Sequence, residues 1–491
     1  MTDGADLFLE QRLSPKLLLV RPLRSLRQTA IPIVLVLVVG HLSLWSLIAP
    51  VVGLGWAFGE ALLHWLRTTY RLDGDRLRVK RGLIGQRMLS IPLDRVRGVE
   101  LTASPLHRAM GLAVVRIDAA IAERKEDGTL DALPAAEAER LRAVLLHRAG
   151  AASEPVEGQE ERPPLARLRP RWILYAPLAG ESVIPIAALI LRFAFNIADQ
   201  LHLFGGSRRL LSLVEREPLL LVPAVVALLV FLAAIATIWF AVLNWDFTLR
   251  DRDGSLVSER GLLTRRGTSL ERRRIRGWEL LESPLERLAG VARLRAVVTG
   301  IRSRQGQTQL LPIGPRVEVL RVAADAVFPF EGELIPHPRA RGRRLVRALV
   351  PPLLLTVASL PLQLEWLTGV LALVTLLGIP LALDRHRALG HADDGRRMSV
   401  REGSLRRRQV VIEHAGMIGW SMHQTLFQRR IGLCTLSASV GAGRGGYAAQ
   451  DLTTEEAVRF AAEVTPAWLG PLLEPEPAAL RPSASPAAPR D

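Results

Sequence analysis

The sequence repeats itself, and this repeat constrains the fold more than any other feature. The stretch DRVRGVELTASPLHRAMGLAVV begins at Asp94, and RRIRGWELLESPLERLAGVARL begins at Arg273. Aligned at an offset of 179 residues, the two stretches are identical at 11 of 22 positions. A weaker third copy, REGSLRRRQVVIEHAGMIGWSMHQTLFQRRIGLCTL, begins at Arg401. A repeat of this length predicts one structural domain that is used three times.

The three copies share the spacing of their glycines. In each copy 16 residues separate the first glycine from the second, and 13 separate the second from the third, at Gly82, Gly98 and Gly111, at Gly261, Gly277 and Gly290, and at Gly403, Gly419 and Gly432. Copies one and two also share a Ser-Pro pair, Ser104–Pro105 and Ser283–Pro284. The third copy has TLFQRRIG where the others have SPLxRxxG, and we therefore treat it as divergent. These residues form the fold signature of the repeat, because turns and core packing account for most of such a pattern.

Each copy reads as strands followed by a helix. In the first copy, apolar residues alternate on both sides of Gly82, which predicts a hairpin. A third strand follows, and Gly98 within it predicts a bulge or a close backbone approach. Ser104 can cap a short helix that has Pro105 at its first position. A helix closes each unit, over 134–148, 315–328 and 453–464. We therefore expect a small, strongly bent antiparallel sheet with one C-terminal helix.

Long apolar runs come in pairs between these copies. The segment 30–66 is long enough for two membrane spans. A second pair is predicted at 172–191 and 219–242, and a third at 346–362 and 366–383. The fold class is therefore an α+β membrane protein in which three helical hairpins, six spans in all, alternate with three small domains.

The positive charge lies mainly on one side of these hairpins. The formal net charge is +16, and arginines flank most of the outer ends of the paired spans. The positive-inside rule then places both termini and all three domains in the cytoplasm. The loop 192–218 is an exception, because it would carry Arg208, Arg209 and Arg216 to the outside.

These patterns give a complete set of domain boundaries. The expected order is a cytoplasmic segment 1–29, a hairpin 30–66, domain one 67–149, a linker 150–171, a hairpin 172–243 with outer loop 192–218, domain two 244–329, a basic linker 330–344, a hairpin 345–383, domain three 384–466 and a disordered tail 467–491.

The paired spans, followed by a glycine turn and the SPLxRxxG motif, resemble the bacterial pleckstrin-homology-like (PH-like) membrane proteins of the YdbS/YdbT type. The likeness covers nearly the whole chain. It implies three PH-like domains, each placed after a transmembrane hairpin. It also implies a role in cell-envelope stress or in tolerance of membrane-active peptides.

Arginines recur at equivalent places in the first two copies. Forked hydrogen bonds from such side chains could hold lipid-headgroup phosphates beside a membrane. A solvated face paired with Glu100 or Glu279 is the alternative. The candidates for headgroup contact are Arg95, Arg97, Arg108, Arg274, Arg276 and Arg287.

Two ionisable residues lie in or near the third span. Glu181 and Arg192 are 11 residues apart and so on one helical face. They could lie at the membrane interface, form a buried ion pair, or serve transport.

The sequence carries no recognisable catalytic motif. The ten histidines are scattered and Cys434 is the single cysteine, so we expect no enzyme activity, cofactor or metal site. Few aromatic residues lie among the arginines, which argues against nucleic acid as a partner. We expect an inner-membrane protein whose domains meet membrane lipids and another membrane or cytoplasmic protein, for example a smaller PH-like membrane protein. The alternative is a component of a transporter or export system.

Overall fold

The computed structural model describes residues 11–20, most of 55–81, 87–93, 96–119, 129–149, 163–179, 221–252, 254–300 and 308–470. The chain divides into two compact units, residues 1–329 with 442–444, and residues 330–441 with 445–491. We name the three copies of the repeat modules 1, 2 and 3. Modules 1 and 2 belong to the first unit, and module 3 to the second.

Module 1 contains two groups of antiparallel strands. Strands β1 to β4 form a sheet in sequential order, and β5 to β7 form a meander that precedes the closing helix α2. The strands are β1 Gln11–Arg12, β2 Thr68–Asp73, β3 Arg76–Arg81, β4 Arg87–Pro92, β5 Val96–Ala103, β6 Leu112–Ala119 and β7 Thr129–Pro134, and the helices are α1 Pro105–Ala109 and α2 Ala135–Ala149.

Module 2 repeats this arrangement after the apolar helix α3, Leu221–Asn244. Its first group runs in the order β8–β9–β10–β11, and its second is the meander β12 to β14. The strands are β8 Ala166–Arg167, β9 Thr248–Arg252, β10 Ser255–Arg260, β11 Arg265–Glu271, β12 Ile275–Glu282, β13 Val291–Val298 and β14 Gln309–Pro315, and the helices are α4 Pro284–Leu288 and α5 Arg316–Ala326.

Module 3 follows the antiparallel helix pair α6, Ala340–Ser359, and α7, Glu365–Ala388. Strands β15 to β17 form its first group, and the meander β18 to β20 forms its second. The strands are β15 Gly390–Asp393, β16 Arg397–Glu402, β17 Arg407–Glu413, β18 Met417–His423, β19 Leu433–Val440 and β20 Gly446–Thr453, and the helices are α8 Leu426–Arg430, α9 Thr454–Val464 and α10 Pro466–Leu469.

The local features expected within each copy are present. The strand register shifts next to Gly98, Gly277 and Gly419, which confirms the predicted bulge. The hydroxyls of Ser104 and Ser283 accept N-cap hydrogen bonds, and Thr425 does so in the divergent copy. The third glycine of each copy, Gly111, Gly290 or Gly432, has a positive φ. Several antiparallel sheets with closing helices are consistent with PH-like domains.

A short segment before each apolar region belongs to the module that follows that region. Strand β1 pairs with β2, and β8 pairs with β9. In module 3, Ile335 forms the corresponding bridge with His391. Leu13 and Leu17 are buried in the core of module 1. The segment 1–29, which the sequence assigned to a separate region, therefore contributes core residues to domain one.

Two helices of the described residues are long and apolar enough to span a membrane. They are Val226–Asn244 and Glu365–Ala388, and α6 is the antiparallel neighbour of the second. The hairpin expected at 30–66 lies mostly outside the described residues, so the structure does not confirm six spans.

The predicted third span does not begin where the sequence suggested. Residues Pro170–Ala179 form a 3₁₀ helix, in which Trp172 and Ala176 are buried. A β-carbon on Gly314 would lie 3.4 Å from the Trp172 ring, so this segment packs closely against β14. Trp172 and Ala176 therefore lie in a protein core, whereas Leu174 is exposed. Hydropathy by itself cannot distinguish such a segment from a span.

A glycine turn joins each described span to its module. The backbone N–H groups of Gly261 and Leu262 donate to the carbonyls of Trp245 and Val242, at 2.9 Å each. They satisfy carbonyls at the C-terminal end of α3, which would otherwise lack partners. At the end of α7, Arg401 donates to the carbonyl of Ala388 at 3.0 Å. The hydroxyl of Ser404 donates to Asp384 at 2.6 Å.

We expect Gly403→Ala to destabilise the protein. Gly403 has φ +91°, and a β-carbon there would lie 2.1 Å from the carbonyl oxygen of Arg406. The strained backbone should cost on the order of 1–3 kcal/mol, and the clash adds to it. Gly342→Ala is the matched control, because that helical glycine has nothing within 4 Å of the added carbon. Thermal unfolding of the full chain tests this, and equal midpoints for the two variants would contradict it.

Candidate membrane-surface site

A cavity of about 770 Å³ lies within the first unit, next to the end of α3. It is bounded by β5 and β11, by the helices α1 and α2 of module 1, and by Trp245 and Asp246 just after α3. Strands β5 and β11 pair antiparallel, so the sheet of module 1 continues into module 2. This pairing brings together side chains from two modules. We call this space the arginine cavity.

Positive charge predominates in the arginine cavity. Three carboxylates line it, from Glu139, Asp246 and Glu259. Seven arginines line it as well, Arg108, Arg142, Arg167, Arg250, Arg260, Arg265 and Arg266. The excess of four positive charges makes this an anion-attracting space.

Several of these arginines form hydrogen bonds or ion pairs within the protein. Arg142 is buried and donates to the Ser269 hydroxyl at 3.1 Å, which ties helix α2 to β11. Arg108 donates to the carbonyl of Leu262 at 3.0 Å, and Arg167 pairs with Asp246 at 3.3 Å. These contacts shape the walls of the cavity and hold the two modules together.

The pKa of Arg260 reflects the positive potential inside the cavity. It donates to Asn244 at 3.2 Å and also to Gln309. Burial and, to a smaller extent, the positive charge of Arg266 lower the pKa of Arg260 to about 10, and Glu100 opposes this shift. Arg260 therefore stays charged at neutral pH, beside like charge that is not fully neutralised.

Arg265 and Arg266 are the side chains best placed to meet an incoming anion. Both are exposed, and neither forms a hydrogen bond or ion pair with any residue in the described part of the chain. The apolar side chains of Leu262 and Trp245 line the same cavity and are also exposed. A group that is anionic at one end and apolar at the other fits this combination.

The structure separates the arginines that the sequence proposed for headgroup contact. Arg108 lines the arginine cavity, whereas Arg274 pairs with Glu271 at 2.7 Å. Arg276 lies in β12 and Arg287 in α4, and both are half-buried. Arg97 lies in β5. Arg95 falls outside the described residues, as do Gly82, Glu181 and Arg192.

Little in the sequence distinguishes Arg265 and Arg266 from the other arginines. They follow the turn of module 2 in RGLLTRRG, where the first copy has RGLIGQR. A pair of arginines in an arginine-rich chain carries no signal of its own. Only the pairing of β11 with β5 places them beside Arg108 and Arg142.

The second unit contains a separate polar cluster, which is buried. Asp451 lies in β20 and pairs with Arg343 and Arg344, and the bond to Arg344 measures 2.6 Å. Gln428 also donates to Asp451, at 2.9 Å. Because every oxygen of this carboxylate has a charged or amide partner, the cluster ties helix α6 to module 3 rather than forming an open site.

Two histidines form a hydrogen-bonded chain beside this cluster. Nδ1 of His337 lies 2.7 Å from the carbonyl of Gln450, so that nitrogen must carry the proton. Nε2 of His337 then accepts from Nδ1 of His391 at 2.8 Å. Protonating both rings would set two N–H groups against each other, and burial lowers the pKa of both rings, which favours their neutral forms.

Comparison with known proteins agrees with this architecture. The family model described as "Bacterial PH domain" matches residues 28–149, 209–324 and 350–467. The transmembrane protein YdbT of Bacillus subtilis (strain 168) is 21% identical over 412 residues, which cover 78% of this chain and 82% of that protein. No solved structure matches the chain significantly.

We expect the second unit to lose stability in mild acid. Burial and then the neighbouring His337 lower the pKa of His391 to about 4, and burial also lowers that of His337. Glu456 opposes both shifts, as do Asp451 and the Gln450 carbonyl at His337, whereas Arg344 adds to the shift of His337.

Because the unfolded histidines bind protons from about pH 6.5 downward, the stabilisation is complete above that pH and declines toward pH 4. Thermal midpoints at pH 7.5 and pH 5 measure the effect. His391→Gln keeps a donor for His337 and should flatten the pH dependence. An unchanged slope in that variant would contradict the assignment.

Proposed function

Because this chain belongs to the bacterial PH domain family, we propose that it is a non-enzymatic inner-membrane protein that presents its PH-like modules to the cytoplasm and binds anionic lipid headgroups. The arginine cavity is the observation that carries this proposal. It lies next to the end of an apolar helix that could span the bilayer, so its ligand would be a component of that bilayer. The membrane-protein character and the PH-like modules are established by the family and its transmembrane relative.

The composition of the cavity favours a lipid over a free phosphate. Arginine guanidinium groups bind phosphate through paired hydrogen bonds. Leu262 and Trp245 lie beside them and remain exposed, and a lipid would cover such side chains with its glycerol and first acyl carbons. Free phosphate would leave them in water. The resemblance also implies a role in cell-envelope stress, and headgroup binding at the bilayer surface is compatible with that role.

The distribution of charge at the helix ends supports the cytoplasmic placement. The last turn of α7 contains Arg385 and Arg387, immediately before module 3. The first turns of α6, its antiparallel neighbour, contain Arg341, Arg343 and Arg344. Basic residues concentrated at one end of a helical hairpin favour the cytoplasmic side for that end.

We expect phosphatidylglycerol to stabilise the purified full-length chain more than phosphatidylcholine does. Ligand binding to the folded state raises the thermal midpoint. Arg265→Ala with Arg266→Ala should remove about 2 kcal/mol of binding free energy, roughly a 30-fold loss in affinity, because each basic group near an anionic surface contributes about 1 kcal/mol. The measurement is the midpoint as a function of lipid concentration, in neutral detergent.

Arg396→Ala with Arg459→Ala is the matched control, because both side chains are exposed and neither lines the cavity. This variant loses the same net charge and should keep the lipid response. Inorganic phosphate forms a further arm. The proposal is rejected if phosphate stabilises the chain as well as the lipid does, or if the two double variants lose the lipid response equally.

We also expect all three modules to lie on one face of the membrane. Single cysteines at Ala136, Val317 and Leu405 would mark modules 1, 2 and 3, since all three side chains are exposed and the native Cys434 is buried. A membrane-impermeant maleimide should label none of the three in intact cells and all of them after lysis. Labelling of any one in intact cells would rule out this topology.

A further inference from the structure

Strands β4 and β18 are among the strands that lie at the ends of their sheets in the described chain. Strand β4 is the last strand of the order β1–β2–β3–β4, and β18 is the first of the order β18–β19–β20. Among the described residues, neither has a neighbour on its outer side. An unpaired edge presents backbone N–H and C=O groups that can pair with a further strand.

The first unit shows how the equivalent strands pair. By the repeat, β4 corresponds to β11, and β18 corresponds to β5. Strands β5 and β11 pair antiparallel, with Arg266 opposite Thr102 and Gly267 opposite Leu101. In the first unit, the strand equivalent to β18 pairs with the strand equivalent to β4, and the two strands come from different modules. This example identifies the partner of β18 as the β4-equivalent strand of another module.

Side chains are more exposed at the two unpaired edges than at the paired edge. Leu101 in β5 is 9% exposed, whereas Met422, its equivalent in β18, is 44% exposed. Met88 in β4 is 57% exposed. Ile418 in β18 and Phe427 in the adjoining helix α8 are also exposed, so an apolar surface continues past the strand edge. Pairing of the two edges would cover this surface.

The side chains near the two edges also complement each other in size. At the occupied edge, Gly267 leaves room for Arg142, whose Nη1 lies 3.8 Å from where a β-carbon would be. In module 3, Ala461 occupies the position of Arg142 on the closing helix. In β4, Met88 occupies the position of Gly267. At the occupied edge, the large Arg142 faces the small Gly267. In the pair of β18 with β4, the small Ala461 would face the large Met88.

We infer that β18 of one chain pairs antiparallel with β4 of a second copy of this chain. Transferring the observed register places Arg87 opposite His423, Met88 opposite Met422, and Leu89 opposite Ser421. The contact is head-to-tail, because each copy contributes a different edge. The copies associate side by side in one bilayer, with module 3 of one copy joined to module 1 of the next as module 1 is joined to module 2.

Cross-linking of full-length chains in membranes tests this pairing. One copy carries Met88→Cys and one tag, and the other carries Met422→Cys and a second tag, both with Cys434→Ala. Directly opposed strand residues are within disulfide range. Oxidation should give a dimer that contains both tags. The control replaces Met422→Cys by Leu405→Cys, which is exposed but lies outside β18, and should give no mixed dimer.

Charge variants provide a second measurement that does not depend on cysteine chemistry. Met422→Arg combined with Met88→Arg places like charges opposite each other. It should reduce co-purification of the two tagged copies in mild detergent about fivefold, and Met422→Arg with Met88→Glu should restore it.

The inference fails if no mixed dimer forms although both single cysteines react fully with maleimide. It also fails if Met88→Cys chains cross-link equally well to each other, because that contact would be symmetric. Cross-linking of Met422→Cys only to a different protein, for example a smaller PH-like one, would likewise overturn it.

Discussion

The joint between a membrane helix and its module is the constraint on which the rest of this structure depends. The end of α3 presents carbonyls with no partners of their own, and the turn at Gly261 supplies backbone N–H groups to Val242 and, just beyond the helix, to Trp245. Only glycine can take φ +107° there with the carbonyl of Thr264 so close. Because this turn fixes β10 and β11 against the helix end, it also determines where the sheet of module 2 lies relative to the apolar helix.

The sheet that runs from module 1 into module 2 is the second element of the architecture. Pairing of β5 with β11 closes one edge of each module, and the bond from Arg142 to Ser269 adds a buried tie. An exposed strand edge is a liability in a chain that folds beside a membrane. Joining the modules through these edges removes that liability at β5 and β11 and creates the arginine cavity at the same place.

The cavity illustrates how the position of a common residue determines which groups its charge can meet. Arginine is abundant throughout this chain, and many arginines form ion pairs, such as Arg293 with Glu286 or Arg344 with Asp451. Arg265 and Arg266 differ because neither side chain forms an ion pair with any described residue, although Glu259 lines the same cavity. Their charge therefore remains available to the anion that we propose as the ligand of the cavity.

The sequence by itself determined the repeat, the bulge and capping residues of each module, and the strongly apolar helices, because these depend on local backbone conformation and on hydropathy. It could not decide that residues 170–179 pack into a module, since a buried core segment and a membrane span have the same composition. It also could not find the arginine cavity or the role of Gln11–Val20 in the core of module 1. Those features arise from strand pairing between residues far apart in the chain, and only the tertiary structure specifies which strands meet.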